Sequence, residues 1–137
     1  MITKKILDEL TYEIIGCAIE VHKALGPGLL EKIYEKCLVN ELMSKKFKVV
    51  SQTKVPINYK GLQLEADLRL DILVEELIVV EVKAVEKINA LYEAQILSYM
   101  RLLEKPKGIL INFCCRNIFK EGQKTFVNYL YNLLPNE

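Results

Sequence analysis

The chain has 137 residues, of which 51% are hydrophobic and 27% charged, and its formal net charge is +1. This length predicts one domain, residues 1–137, with a core of its own, and the composition excludes a disordered chain. The near-neutral charge excludes a strong overall attraction to nucleic acid, so any such binding must come from a local patch.

The sequence also argues against a membrane or secreted protein. No apolar run reaches roughly 18–20 residues, so we expect no membrane span. The first fifteen residues carry acids inside their apolar pattern, which does not fit a signal peptide. The four cysteines lack the spacing of a metal site or a redox pair. They predict reduced, structural thiols in a cytoplasmic protein.

Two helices are predicted first. Residues 4–25 carry apolar side chains at three- and four-residue steps, which is typical of an amphipathic helix. Gly26-Pro27-Gly28 ends this helix, because glycine suits the left-handed cap and proline cannot continue the helix. A second helix is predicted from about Leu29 to Lys46. The two helices should form a helical hairpin.

The period then changes to that of strands. Residues 47–59 are strand-like, with Pro56 marking an edge or a bulge. Residues 62–74 alternate, with apolar residues at the even positions on one face and Glu65, Asp67, Arg69 and Asp71 on the other. Residues 77–85 form a buried type of strand after a turn at Glu75-Glu76.

The remaining elements complete an α-α-β-β-β-α-β order with a tail. A helix is predicted at 88–104 and an apolar strand at 108–113. The tail holds a turn at 121–122, a short strand at 125–128 and a final helical turn through Tyr131. The three consecutive strands should form an antiparallel meander, and strand 108–113 should pair parallel to 77–83. The expected fold class is α/β (α+β), with helices on the faces of a mixed sheet.

Three charged residues stand inside these apolar strands: Asp71, Glu81 and Lys83. Two carboxylates can hold a divalent cation such as Mg²⁺, and the lysine can act on the attacking water or on the scissile phosphate. The same trio also fits a buried ion pair, which is the commoner outcome for such residues. Charges inside apolar strands are costly, which favours a functional role.

A shared site sets a condition on the hairpin that joins the two strands. Glu81 and Lys83 share a face by simple pleating. Asp71 reaches that face only if position 71 pairs with 81, and therefore 73 with 79. A plain two-residue turn would pair 71 with 80 and separate the carboxylates. We therefore predict an odd loop or a bulge near 75–77.

These residues resemble the PD-(D/E)xK nuclease superfamily, whose fold is restriction-endonuclease-like. Asp71 matches the motif aspartate and Glu81-Val82-Lys83 the (D/E)xK element, with Leu70 where the motif has proline. Residues 28–34 read G-x-x-E-x-x-Y, which is similar to the GxxExxY family of this superfamily. Four more segments match that family's pattern: 71–75, 80–85, 93–99 and 110–113. The resemblance spans roughly residues 6–128.

The resemblance implies a three-layer core and a metal-dependent nuclease. It implies that Asp71 and Glu81 bind Mg²⁺ or Mn²⁺, and that Glu31 on the second helix assists them. It also brings Gln95 toward the site, on the helix face that it shares with Tyr92 and Tyr99. Alternatively, Glu31 is simply an acid in the first helical turn, where the helix dipole favours it. Gln95 is alternatively a solvent-facing amide.

Other polar residues have weaker claims. We expect Tyr34 to pack or orient rather than react, and His22 to be a hydrogen-bonded structural residue. Arg69 fits either a phosphate contact or a pair with an acid. The basic run Lys45, Lys46 and Lys48 could touch a nucleic-acid backbone, although a solvated helix end is the plainer interpretation.

The sequence thus predicts a nuclease that hydrolyses nucleic-acid phosphodiester bonds, with DNA favoured over RNA as substrate. A homodimer is plausible, since one domain offers one cleavage site and cutting both strands needs two. The rival hypotheses are a non-catalytic nucleic-acid- or protein-binding module on the same fold, and a small regulatory or structural homodimer without a ligand.

Overall fold

A computed structural model of the chain describes residues 1–64 and 67–137. The helices and strands within these ranges are α1 (Lys4–Leu25), α2 (Glu31–Ser44), β1 (Val49–Lys54), β2 (Ile57–Tyr59), β3 (Leu62–Leu64), β4 (Arg69–Val74), β5 (Ile78–Lys83), α3 (Ala90–Leu102), β6 (Lys107–Asn112), a π-helical segment (Ile118–Gly122), β7 (Gln123–Val127) and α4 (Tyr129–Asn132).

A five-stranded mixed sheet in the order β1-β4-β5-β6-β7 forms the centre of the fold. β1, β4 and β5 pair antiparallel, as the predicted meander requires. β5 and β6 pair parallel across the crossover through α3, and β7 closes the other edge antiparallel to β6. The element order and the mixed sheet predicted from the sequence are confirmed.

Helices cover both faces of the sheet, which gives three layers. α1 and α2 pack on one face around a core that includes Tyr34, Leu38 and Val80. α3 packs on the other face, against Val79 and Leu110 among others. α1 begins at the cap residue Thr3, whose hydroxyl accepts a hydrogen bond from the Ile6 amide. Gly26 ends it with a φ of 67° and a ψ of −179°, a conformation that is open almost only to glycine but is not the left-handed helical cap predicted.

The prediction of two long strands at 47–59 and 62–74 is wrong in one respect. Each is broken, and its outer part forms the separate two-stranded hairpin β2–β3. Val55, which precedes Pro56, still donates its amide to the Leu68 carbonyl at 2.8 Å and buries its side chain beside α3. Glu65, predicted on the polar face of the second strand, lies outside the described residues.

The predicted single apolar face of residues 62–74 is also wrong at the inner end of that strand. Leu70 packs in the α3 layer, whereas Ile72 and Val74 pack in the α1/α2 layer. Regular pleating would place all three on one face. The strand therefore exchanges faces at Asp71.

The ends of the other elements differ only slightly from prediction. α2 begins at Glu31 and ends at Ser44, inside the predicted limits. The four cysteines are free thiols. No helix in the described part of the chain is both long enough and apolar enough to cross a bilayer.

Two glycines on buried elements provide a matched test of this packing. Gly16 lies inside α1, and a Cβ there would have no atom within 4 Å, whereas a Cβ on Gly108 would lie 2.7 Å from Met100 Sδ and 3.1 Å from Ile96 Cδ1. We expect Gly16→Ala to stabilise the protein by roughly 0.5–1 kcal/mol through helix propensity. Gly108→Ala should destabilise it by about 1–3 kcal/mol through overpacking under α3.

Urea unfolding of the two variants at one pH measures both changes. Equal effects of the two substitutions would contradict the close packing of α3 on β6.

Candidate active site

The site lies where β4 and β5 stop pairing. The ladder runs from Val74–Ile78 to Ile72–Val80, so the next opposed positions are 71 and 81. A three-residue loop, 75–77, sets this register, and the Leu77 amide donates to the Val74 carbonyl at 2.9 Å. The predicted odd loop near 75–77 is therefore confirmed. Its cost is a positive φ at both Glu75 (54°) and Glu76 (58°).

Beyond that point the acid side chains replace backbone carbonyls as hydrogen-bond acceptors. The Asp71 amide donates to Glu81 Oε2 at 3.0 Å, and the Val82 amide donates to Asp71 Oδ2 at 2.8 Å. The two carboxyl groups also lie close enough to share a hydrogen bond. Glu81 is 3% exposed, whereas Asp71 is half-buried. Asp71 and Glu81 thus fill the gap between two strands that have stopped pairing.

Burial and the nearby charge of Asp71 favour the protonated form of Glu81. Burial is the largest cause that raises the pKa of Glu81, to about 9, and the charge of Asp71 adds to it. The Asp71 amide and the Lys83 charge act in the opposite direction without cancelling the increase. Glu81 therefore keeps its proton at neutral pH when no cation is bound.

Lys83 is the last residue of β5 and faces α3, as pleating from Glu81 predicts. Its ammonium lies 4.8 Å from the centre of the Tyr92 ring, a cation–π contact. No ion pair among the described residues includes Lys83, so the structure does not support the alternative of a simple buried ion pair. The lysine remains available to a ligand at the sheet edge.

α2 brings two acids to the site. Glu31 is half-buried, and burial raises its pKa, with Asp71 and Glu35 adding to the effect and Lys83 opposing it. Glu35 is only 6% exposed and accepts a 2.7 Å hydrogen bond from Gln52 Nε2. Burial raises its pKa, and the nearby Asp71 charge adds to that rise. The electrostatic coupling places both acids near Asp71.

Glu35 and Gln52 were missed by the sequence analysis. Glu35 could have been found, because it follows Glu31 by four residues and therefore lies on the same helix face. Gln52 gives no such signal. It lies opposite Asp71, between the pairs 51–72 and 53–70, and has a left-handed φ of 56° inside a strand. That conformation is strained for a residue other than glycine.

α3 contributes a row of three polar side chains. Tyr92 contacts Lys83, and Gln95 donates from Nε2 to the Tyr99 hydroxyl at 3.1 Å. Burial raises the pKa of Tyr99, and the charge of Glu81 raises it further. Gln95 therefore approaches the acid pair through Tyr99 and is not a freely solvated amide.

The remaining candidates lie outside the acid cluster. Tyr34 is fully buried, and its hydroxyl accepts from the Leu29 amide and donates to the Gly26 carbonyl. His22 Nε2 lies 2.9 Å from the Cys115 carbonyl oxygen, a structural contact as predicted. Arg69 pairs with the exposed Asp67 at 2.8 Å.

The basic run predicted as one alternative nucleic-acid contact lies at the opposite end of the sheet. Lys45 pairs with Glu13 at 3.3 Å, and Lys48 pairs with Glu76 at 3.5 Å. These side chains are already neutralised by surface acids, which favours the interpretation as a solvated helix end.

The donor set fits a hard divalent cation. The nearest groups are all carboxylates. Burial, with the charge of Asp71 adding to it, raises the pKa values of Glu31 and Glu81, which a bound 2+ charge would offset. Within residues 1–64 and 67–137, no three or more His, Cys, Asp or Glu side chains are already arranged to hold a metal ion. Mg²⁺ commonly binds through one or two carboxylates and keeps several waters, so a site with only the two carboxylates of Asp71 and Glu81 is compatible with this ion.

Comparison with known proteins identifies the fold family. A family model described as PD-(D/E)XK nuclease superfamily matches residues 8–126, which is most of the chain and includes every candidate site residue. The match is to the superfamily, and the narrower GxxExxY assignment stays a prediction from sequence. Searches of curated proteins and of solved structures found no significant match.

The raised pKa of Glu81 predicts how stability depends on pH. Between pH 4.5 and about 9 the folded protein keeps a proton that the unfolded chain has lost. The free energy of unfolding should therefore fall as pH rises through this window, by up to about 1.4 kcal/mol per pH unit. Glu81→Gln keeps an acceptor for the Asp71 amide and should remove that part of the slope.

Urea unfolding in the presence of EDTA, at intervals from pH 5.5 to 8.5, gives the two slopes. A Glu81→Gln variant with the same pH dependence as wild type would show that the buried proton is not on this pair.

Proposed function

The chain belongs to the PD-(D/E)XK nuclease superfamily, and from this premise we propose that it hydrolyses nucleic-acid phosphodiester bonds with the help of Mg²⁺ or Mn²⁺. The observation that carries the proposal is the meeting of Asp71 and Glu81 between diverging strands, two residues before Lys83. Two adjoining acids and a lysine that makes no ion pair with any described residue suit cation-assisted attack on a phosphate better than they suit a structural role.

The proposed roles follow from the contacts of each side chain. Asp71 and Glu81 hold the cation, and Glu31 assists from α2, directly or through water. A divalent cation bound there would help to ionise the attacking water and neutralise charge on the phosphate. Lys83 orients that water or donates to a phosphate oxygen, where negative charge develops in the transition state.

Two α3 residues and one β1 residue support this arrangement without touching the phosphate. Tyr92 holds the Lys83 ammonium over its ring. Gln95 donates a hydrogen bond to the Tyr99 hydroxyl, which lies near enough to Glu81 for the charge of that acid to raise the pKa of Tyr99. Gln52 holds the carboxylate of Glu35 beside Asp71. Supporting shells of this kind hold reacting groups in place.

DNA is the proposed substrate, ahead of RNA. Each chain supplies one such site, so cutting both strands of a duplex would require two copies of the chain, as in a homodimer. Sedimentation of the protein with and without a DNA duplex would show whether two copies assemble on it.

Substitution of the acid and of the lysine should separate metal binding from chemistry. We expect Asp71→Asn to abolish cleavage and to weaken Mn²⁺ binding, because it removes a charged ligand. Lys83→Met should lower cleavage by at least about 100-fold through lost charge stabilisation, yet leave Mn²⁺ binding intact. Calorimetry with Mn²⁺ and cleavage of labelled single- and double-stranded DNA and RNA measure the two effects.

The matched control is Asp67→Asn, an equivalent change at an exposed acid four residues away, which should retain both properties. A wild-type protein that cuts no nucleic acid in any divalent cation would overturn the proposed activity. Salt-dependent DNA binding without cleavage would then favour the non-catalytic binding module.

Tyr92 offers a test of how Lys83 is positioned. Tyr92→Phe keeps the aromatic face under the ammonium and should leave kcat near the wild-type value. Tyr92→Leu removes that face and should lower kcat by about 2- to 30-fold, the equivalent of a cation–π contact, with little change in KM.

Tyr131→Leu is the matched control, because Tyr131 makes a similar contact with Lys107, at 5.5 Å, at the other end of the sheet. It should lower stability and leave kcat unchanged. Equal kcat values for Tyr92→Leu and Tyr92→Phe would contradict the positioning role.

A further inference from the structure

Surface lysines differ in their partners at the two ends of the sheet. At the end where β1 and β6 begin, Lys45 and Lys48 pair with Glu13 and Glu76 at 3.3 and 3.5 Å. The buried Lys107 pairs with Asp8 at 2.8 Å, and the exposed Lys46 makes no ion pair with a described residue. A second group, defined here as the site-end lysines, makes no ion pair among the described residues: Lys32, Lys36, Lys54 and Lys60. All four are exposed. Ion pairs with described acids therefore neutralise two of the three lysines in the run 45–48 and none of the site-end lysines.

The site-end lysines flank the acid cluster. On α2, Glu35 turns inward, while Lys32 and Lys36 turn out to solvent. Lys32 lies near enough to act on the charges of Glu31 and Glu35. These two lysines therefore border the site on its α2 side.

The other two lysines border the site on its β1 side. Lys54 ends β1 and pairs in register with Arg69, two residues before Asp71. Lys60 lies in the turn of the β2–β3 hairpin, its ammonium 5.3 Å from the centre of the Tyr59 ring. Because β1 runs toward the site, its end and the hairpin that follows lie at the site's end of the sheet.

β1 and the β2–β3 hairpin together have the composition of a surface that contacts a polyanion. Residues 49–64, which span both, contain two lysines, Lys54 in β1 and Lys60 in the hairpin, and no acidic residue. The hairpin also exposes flat or apolar side chains, with Tyr59 60% and Leu62 58% exposed. Lysine next to an exposed aromatic ring is a combination that binds phosphates and stacks on bases.

We propose that the site-end lysines bind backbone phosphates of the nucleic-acid strand on the β1 side of the site, with the β2–β3 hairpin lying along that strand. The proposal rests on the proposed function, since it names the path of the substrate that Asp71 and Glu81 would act on. A chain of net charge +1 could bind a polyanion in this way, because the site-end lysines concentrate positive charge on one part of its surface. Each phosphate contact releases counterions, so the binding must weaken steeply with salt.

Two triple variants with the same change in charge test this path. Lys36, Lys54 and Lys60 are replaced by Gln in one, and Lys45, Lys46 and Lys48 in the other. Lys32 is left in place to avoid disturbing Glu31. Both triples are made in the Asp71→Asn background, so that binding is measured without cleavage. Fluorescence anisotropy with labelled single-stranded DNA, duplex DNA and RNA is followed across a KCl series.

We expect the site-end triple to reduce the slope of log Kobs against log salt by about 2–3, from roughly 0.7–0.9 per phosphate contact. The control triple should change the slope by less than about 1, since Lys45 and Lys48 are already paired with acids. The three oligonucleotides show whether the path suits a single strand or a duplex.

Equal loss in both triples would overturn the proposal, because only total charge would then matter. Undetectable binding of every oligonucleotide at low salt would overturn it as well. If wild type cleaves nucleic acid and the site-end triple with intact Asp71 keeps its KM and salt dependence, this proposal fails while the proposed function stands. If wild type never cleaves but the site-end triple alone loses binding, the surface is supported and the proposed function fails.

Discussion

The structure depends on a change of hydrogen-bond acceptor at positions 71 and 81, where side-chain carboxylates accept from backbone amides in place of backbone carbonyls. The β4–β5 ladder ends at Ile72–Val80, and the amides of Asp71 and Val82 would otherwise face each other's strand without acceptors. Buried amides without partners are costly. The carboxylates of Asp71 and Glu81 accept hydrogen bonds from these amides and so remove that cost. The same hydrogen bonds hold the two acids beside each other at the candidate site.

Much of this arrangement follows from the sequence, because the alternation of side chains along a strand and the odd or even length of a hairpin loop are both local properties. Alternation places Glu81 and Lys83 on one face, and parity alone requires a loop of odd length at 75–77. Both results hold in the structure. The helices, the mixed sheet and the parallel β5–β6 pair were equally accessible, since apolar period and chain order determine them.

What the sequence did not predict lies where regular pleating fails. The strained φ of Gln52 and the exchange of faces at Asp71 occur at the same opposed pair of positions. Glutamine has no preference for that conformation, and its hydrogen bond to Glu35 is a tertiary contact that the sequence does not reveal. The break between β1 and β2 falls at Val55-Pro56, where proline indicated an edge or a bulge but not a separate hairpin. Strain of this kind is typical of functional sites.

Tyr34 links the parts of the site into one mechanical unit. Its ring stacks on Phe113 at 4.5 Å between centroids, and the Phe113 amide donates to the Lys83 carbonyl at 2.9 Å. Its hydroxyl holds the loop from which the helix of Glu31 begins. The lysine and the helical acid are therefore braced through a single buried ring. A site built this way should not fray ahead of the core, and its amides should exchange with deuterium only when the whole domain opens.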